Sequence, residues 1–525
     1  MEQIEGGKTM LKLAPIFSNH MVLQRGKRIA IWGETDLECV TISMNGKSVK
    51  AKAENGNFKA ELPPMAEGGP YTLTVSAGAE NITFEDIMLG EVWFAGGQSN
   101  MELELQNSFE GDKELEKCAA ENVRYYYVPK KPYVSEELLQ EEANSTWKCA
   151  SKEASGKWSA VAYYFAKELT KKLGVTVGII GCNWGGTSAS CWMSREMLTA
   201  SEATSSYVKE YDAVVENQDF EEYLKEREEY IIYQTEFEKN VSHYYETCEN
   251  PTWDEAISLF GENKYPGPMG PYSEFRPAGL YETMVSRVIP YTLAGFIYYQ
   301  GEEDDHKPTT YYDLVSALIK QWRKDWGDES LPFLVVQLPI FQNMGEPDFK
   351  NWPLVREAQM RVFQTIKNTG VAVILENGEY GNIHPTKKEV VGKRLALQAF
   401  SEVYHICDRE EAFGPIFKDY YIEENKMVIS FDYCADGFIC KGDVTGFEVA
   451  AADKVYYPAE FEIQGNQIVV SANEVTEPKY VRYCWTNYQE IGLFGKNGIP
   501  VAPFRTSYND GSKVTGSRLS NEGVM

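Results

Sequence analysis

Along residues 10–86 the hydrophobic positions fall in short runs, RIAIWG, VTISMNG and YTLTVSAG among them, broken by Gly and Asn. Short apolar runs between turn residues predict a small antiparallel β module. From residue 87 the pattern changes. The runs IMLGEVWFA, TVGIIGC, LAGFIYYQ, PFLVVQL and TGVAVIL are continuous rather than alternating, and between them lie segments of helical period such as WSAVAYYFAKELTKKLG and YYDLVSALIKQWRKDWG. Continuous apolar strands alternating with amphipathic helices predict a parallel α/β sheet buried on both faces, spanning 87–408. Beyond 409 short strand and turn patterns return (NKMVISFDY, GNQIVVSAN, YVRYCWTN), so a C-terminal β region is expected over 409–525.

One stretch breaks the α/β rhythm. Residues 200–262 are strongly charged, mostly acidic and helical in period; they read as a solvated helical insertion or, if they face the site, as a wall beside it. A chain of 525 residues is too long for one ordinary core, in keeping with this three-part division. With 51 basic against 78 acidic residues the net charge is −27, which disfavours nucleic acid and anionic membrane surfaces as partners. No run is long and apolar enough for a bilayer span, and the N-terminal residues lack the pattern of a secretory signal. The ten cysteines are scattered, without CxxC pairs or neighbouring His ligands, and are expected to be reduced thiols. The expectation from these features is a cytoplasmic protein without a metal site.

In an open α/β sheet ligands collect beyond the carboxyl ends of the strands. Four loops follow apolar runs there: GGQSNM with Ser99, NWGGTS with Gly185 and Gly186, QGEEDDH with Gln300, and ENGEYGNIHP with His384. A serine hydroxyl becomes a nucleophile when a base removes its proton, and imidazole is the usual base near neutrality. Of the five histidines, His384 is the best placed, with His306 the other near a strand end. Glycine N–H groups at 185 and 186 and the Gln300 amide are candidate oxyanion donors, and Gln98 and Asn100, flanking Ser99, are counted with them as oxyanion or substrate contacts. The absence of a G-x-S-x-G elbow disfavours the common α/β-hydrolase layout, and no phosphate loop or H-E-x-x-H helix implies a cofactor.

GQSNME around Ser99, NWGGTSASCW at 183–192, YYQGE at 298–302 and IHPTKKEVVGKRLA at 383–396 together resemble the sialate O-acetylesterase family of SGNH-type carbohydrate esterases. The resemblance runs nearly end to end, with APIFSNHMVLQRGKRIAIWG, VRYCWTN and PFRTS matching the flanking β regions. It implies Ser99 as nucleophile, His384 as general base, and an oxyanion hole from the Ser99 N–H, the Gly185 or Gly186 N–H and the Gln300 side chain. It further implies removal of acetyl groups from acetylated mono- or oligosaccharides, either acetylated sialic acid or hemicellulose fragments such as mannan or xylan pieces. SGNH enzymes usually carry an Asp three residues before the histidine, where this chain has Gly381. Glu376, at a position where related chains often place an Asp, is the first candidate to orient His384, and Glu379 the second. A main-chain carbonyl or an acid from another loop, such as Asp304, stays open. The oligomeric state is also open, a homodimer being the assembly entertained. Two other readings compete: a glycoside hydrolase using the Glu302–Asp305 carboxylates, and a non-catalytic sugar-binding protein built on the β regions.

Overall fold

A computed structural model of the chain describes residues 10–249 and 252–507. The N-terminal strands alternate buried and exposed positions, as in Cys39–Met44 and Asn57–Leu62, the signature of antiparallel strands with one face on a core. Their order is Leu11–Leu13, Ile29–Thr35, Asn57–Leu62, Lys47–Glu54, Cys39–Met44, Gly68–Ala77 and Glu80–Gly97.

The last of these strands joins the first two parts of the molecule. Glu80–Gly97 is 18 residues long; its first half alternates, and from Leu89 onward every position is buried. The first half pairs antiparallel with Gly68–Ala77, and the second runs parallel between Val177–Asn183 and Gly295–Tyr299. The division expected at 86/87 therefore falls inside a continuous strand, because a strand can change from a half-exposed to a buried sheet without leaving extended backbone.

The central sheet continues outward through Val123–Tyr127 on one side and through Phe333–Gln337 and Thr369–Val373 on the other, all parallel. A short antiparallel strand, Lys148–Cys149, sits beyond Val123–Tyr127. Helix Ala160–Leu173 packs against Lys388–Glu402, and helix Tyr311–Asp325 against Asn351–Thr365. The strands between them are buried at every position from Gly295 to Tyr299 and from Phe333 to Gln337, as a sheet covered on both faces requires. The chain starts this sheet in the middle at Glu80–Gly97, fills one side and then crosses to the other. The carboxyl end of Glu80–Gly97 is thus where the winding reverses, the place where such sheets bind ligands.

The acidic stretch forms helices Glu202–Val215, Phe220–Thr247 and Trp253–Phe260. The longest has only Tyr223, Gln234 and Phe237 buried, so it is solvated over most of its surface. The C-terminal part has two four-stranded antiparallel sheets and one strand pair; its described residues end at 507, and the rest of the 409–525 region lies outside them. Its core, including Phe447, Val470 and Leu493, is continuous with Ile340, Val371, Val373 and Leu375 of the α/β part. The guanidinium of fully buried Arg356 ties the two parts, donating to the Pro339 carbonyl at 3.3 Å and to the Thr486 carbonyl.

Gly97 ends the shared strand at φ +141°, where a Cβ would lie 2.1 Å from the Tyr299 carbonyl oxygen. Only glycine permits both that backbone and that approach. Gly97→Ala is expected to destabilise the protein by about 1–3 kcal/mol, read as a lower urea midpoint, and to reduce activity further by displacing the turn that follows. An unchanged midpoint would show that the strand tolerates the crowding.

Candidate active site

The turn after Gly97 presents Ser99. Gln98 is extended, with φ −113° and ψ −151°, and Ser99–Glu102 is a single helical turn whose Met101 and Glu102 N–H groups donate to the Gln98 carbonyl at 2.9 Å. The first N–H groups of such a turn have no carbonyl behind them; the Ser99 N–H is without a partner among the described residues and is free to meet an anion.

His384 arrives from the far side of the sheet. Strand Thr369–Val373 leads into a short 3₁₀ turn, Leu375–Asn377, then Gly381 turns the chain at φ +73°. The His384 N–H donates to Asn382 Oδ1 at 3.0 Å, and the ring reaches Ser99: Nε2 lies 2.8 Å from Ser99 Oγ. With the hydroxyl as donor, the imidazole is the neutral Nδ1–H tautomer. Of the other histidines, His20 pairs with Asp86, and His306 and His405 contact backbone carbonyls. The ring of His384 keeps solvent at one edge yet is surrounded by enough protein that desolvation lowers its pKa. The Lys388 charge lowers it further, against a smaller raising effect from Glu102.

No carboxylate among the described residues bonds His384 Nδ1. Glu376, the first candidate, is instead held by Arg394, whose two terminal nitrogens take both its oxygens, one at 2.9 Å. A buried guanidinium takes the carboxylate in a two-point pair that a single imidazole N–H cannot match. Glu379 accepts from Asn382 Nδ2 at 2.7 Å, so it acts on the loop's backbone through Asn382 and does not touch the ring. Asp304 is buried under four donors: Ser188 Oγ, the Ala189 N–H, Tyr207 OH and Gln300 Nε2.

Four expected oxyanion or substrate contacts are likewise engaged elsewhere. Gln300 is fully buried; its amide nitrogen donates to Asp304 at 2.6 Å and to the Thr187 carbonyl at 3.2 Å, while its oxygen accepts from Tyr311. It locks the loops together rather than pointing outward, since turning it would break its bonds to Asp304, the Thr187 carbonyl and Tyr311. The Gly185 N–H donates to Glu102 Oε2 at 2.6 Å, and Glu102 also binds Lys130. Asn100 is buried beneath the turn, with Nδ2 on Glu302 at 2.6 Å and on the Ile383 carbonyl at 2.9 Å. Gln98 is buried, and its oxygen accepts from the N–H groups of Gly301 and Glu303 at 3.4 and 3.2 Å.

Gly186 stays in place as a donor. It turns at φ +70°, its N–H has no partner among the described residues, and its neighbour Gly185 lies against Ser99, where a Cβ on residue 185 would sit 3.2 Å from Ser99 Cβ. Above Gly186 stand Tyr265 and Phe275, which follow the acidic helices.

Sequence patterns missed Glu102 and Lys388, and singled out Glu302 only as a glycosidase carboxylate. Glu302 is buried and its carboxyl is raised by that burial, partly offset by Asn100. Lys388, fully buried at the first turn of its helix, is pushed down to about 7 by desolvation. Spacing held a signal for one of them: Glu102 stands on the same helical turn as Ser99.

As for metals, one cluster among the described residues brings ligand atoms together: His20, Asp86 and Cys149, where the N-terminal β module meets the edge of the central sheet. Its Asp86 is already paired with Arg124.

Residues 270–401, which include Gln300 and His384, match the family described as carbohydrate esterase, sialic acid-specific acetylesterase. The sialate O-acetylesterase of Mus musculus is 25% identical over 545 residues, covering 94% of this chain and 94% of that protein. The Homo sapiens sialate O-acetylesterase is 25% identical over 542 residues, with 94% and 92% covered. A crystal structure of a carbohydrate acetylesterase from Xanthomonas citri superposes with a TM-score of 0.75 at 29% identity, covering 94% of this chain and 99% of that one.

Two outcomes follow from the geometry. Because its carboxylate belongs to Arg394, Glu376→Gln should keep kcat within about threefold of the parent, a difference below about 1 kcal/mol; a loss of several hundredfold would restore Glu376 as the partner of His384. Because the neutral base is favoured by burial and by Lys388, the fall of kcat/KM on acidification should have its midpoint below 6.5, the ordinary histidine value. A midpoint above 6.5 in a pH–rate profile would contradict the lowered pKa.

Proposed function

We propose that this carbohydrate O-acetylesterase of the sialate O-acetylesterase family works through a serine acetyl-enzyme formed on Ser99. The observation that carries the reading is the 2.8 Å contact between Ser99 Oγ and His384 Nε2 at the point where the sheet winding reverses. His384 takes the hydroxyl proton as Oγ attacks the acetyl carbonyl. The negative oxygen that forms is stabilised by the N–H groups of Ser99 and Gly186. Collapse expels the sugar oxygen, which recovers the proton from His384, and leaves acetyl-Ser99. Water then attacks with His384 again as base, and acetate leaves.

A cavity of about 560 Å³ begins at Glu102 and is lined by Tyr127, Trp158, Lys130 and Lys157 among others. Lys157 at its wall suits hydroxyl or carboxylate oxygens, while Lys130 is paired with Glu102 and lies 5.0 Å over the Tyr127 ring. We assign the sugar to this cavity and its acetyl group to the Ser99 side. Acetylated sialic acid and acetylated hemicellulose oligosaccharides are both substrates of this description; the names of the curated relatives favour the first.

The glycosidase alternative requires two carboxylates facing one bond. Of the four carboxylates in the Glu302–Asp305 loop, Glu302 is bonded to Asn100, Asp304 to four donors, and Asp305 to Asn351 and Trp352, so these three are committed to the interior and Glu303 alone is partly exposed.

Ser99→Ala should fold as the parent does and lose turnover by a factor on the order of 10⁶, as removal of a hydrolase's nucleophilic serine does. A variant within tenfold of the parent would remove Ser99 from the chemistry. Acetate release measured over acetylated sialic acids, xylo-oligosaccharides and manno-oligosaccharides distinguishes the sugar classes. Release from sialic acids above the others is the expected result, and release only from hemicellulose fragments would reassign the cavity.

A further inference from the structure

Gly381 supplies no side chain to His384 Nδ1, yet the peptide that carries His384 is anchored from below. Asn100 Nδ2 reaches the Ile383 carbonyl at 2.9 Å and Glu302 Oε1 at 2.6 Å, while Asn100 Oδ1 accepts from Lys388 Nζ. Asn100 and Glu302 are 1% exposed and Lys388 0%, so water does not substitute for any of these bonds.

We propose that Lys388 is a positioning residue for the base: through Asn100 it fixes the Ile383–His384 peptide, and its charge holds the imidazole in the proton-accepting form. This rests on the reading of Ser99 and His384 as nucleophile and base. Two physical effects support it. An ammonium only donates, so Lys388 permits one orientation of the Asn100 amide, with oxygen toward itself and nitrogen toward Glu302 and Ile383. The flipped amide would place oxygen against a carboxylate and a carbonyl.

The second effect is electrostatic. Lys388 acts on His384 to lower its pKa, and the groups that face Lys388 are Asn100, Glu302, the Tyr299 ring with its centroid 5.3 Å away, His384, and Glu379 as a further attractive charge. Asp305 acts on Glu302 and raises it. Burial outweighs the attraction between Lys388 and Glu302, so each shifts toward its neutral form. Lys388 nonetheless carries its proton below about 7, the range in which His384 titrates.

The test compares kcat/KM against pH on an aryl acetate for the parent, Lys388→Met, Lys388→Arg and the double variant Lys388→Met/Glu302→Gln, with thermal melting of each. Lys388→Met should lower kcat/KM by about tenfold to a hundredfold and move the acid midpoint upward, because the imidazole loses a neighbouring positive charge. The double variant leaves no unpaired buried charge, so it should fold and still show the raised midpoint. Lys388→Arg keeps the charge and should keep the parent's midpoint. A rate loss with an unmoved midpoint, in either Met variant, would reduce Lys388 to a structural residue and overturn the proposal, as would a midpoint shift in Lys388→Arg. Failure of the underlying reading has a separate signature: a parent enzyme that a serine-directed phosphonate does not label at Ser99.

Discussion

The hydrogen bond between Ser99 and His384 joins residues 285 positions apart, and most of the fold around it serves to make that bond geometrically possible. Ser99 follows the central strand, whereas the histidine loop leaves Thr369–Val373, three strands along the sheet. A loop that reaches back so far is costly to order, and the structure ties it at several points. The Gly381 N–H donates to the Gln342 carbonyl and the Thr386 carbonyl accepts from the Phe109 N–H, both at 2.9 Å, while Asn100 holds the Ile383 carbonyl. On the serine side the close pass of Gly97 over Tyr299 sets the start of the turn. Two rigid strand ends and a tethered loop give an imidazole a fixed position without requiring a carboxylate behind it.

Beneath the pair, polar groups are packed against one another and bonded in sets, with Glu302 Oε2 buried and without a partner among the described residues. Gln300, Asp304, Tyr311, Thr187 and Ser188 form one connected set, and Asn100, Glu302 and Lys388 a second. In a low-dielectric interior such sets are rigid because every broken bond leaves an unsatisfied group. This explains why residues next to the chemistry in sequence need not touch substrate. Desolvation and the Lys388 charge lower the pKa of His384, which keeps the ring unprotonated and ready as a base but removes part of the stabilisation an imidazolium would gain in a triad. Glu102, the one carboxylate that raises it, stands on the serine's own turn.

The sheet, its covering helices and the flanking β regions were legible from continuous and alternating apolar runs, because burial on one or two faces leaves those periods in the chain. The full length of the shared strand was not, since a change from one-sided to two-sided burial within Glu80–Gly97 looks like a domain boundary. That Ser99 and His384 come together was legible from their loops at strand ends. The roles of Glu376, Gln300 and Gly185 were not, because which donor meets which acceptor depends on side chains from remote segments: Arg394 for Glu376, Asp304 and Tyr311 for Gln300, Glu102 for Gly185. Lys388 was hidden for a related reason. A lysine at the start of an amphipathic helix reads as solvated, and only its tertiary partners reveal it as buried.

The most direct measurement is to quench the enzyme with acid during turnover of an aryl acetate and locate the acyl group by peptide mass analysis. An acetyl group on the peptide containing Ser99, accumulating before steady state and absent from Ser99→Ala, is the predicted result. Turnover at the full rate with no acetylated peptide at any quench time, or acetylation at another residue that Ser99→Ala leaves unchanged, would contradict a covalent reaction at Ser99.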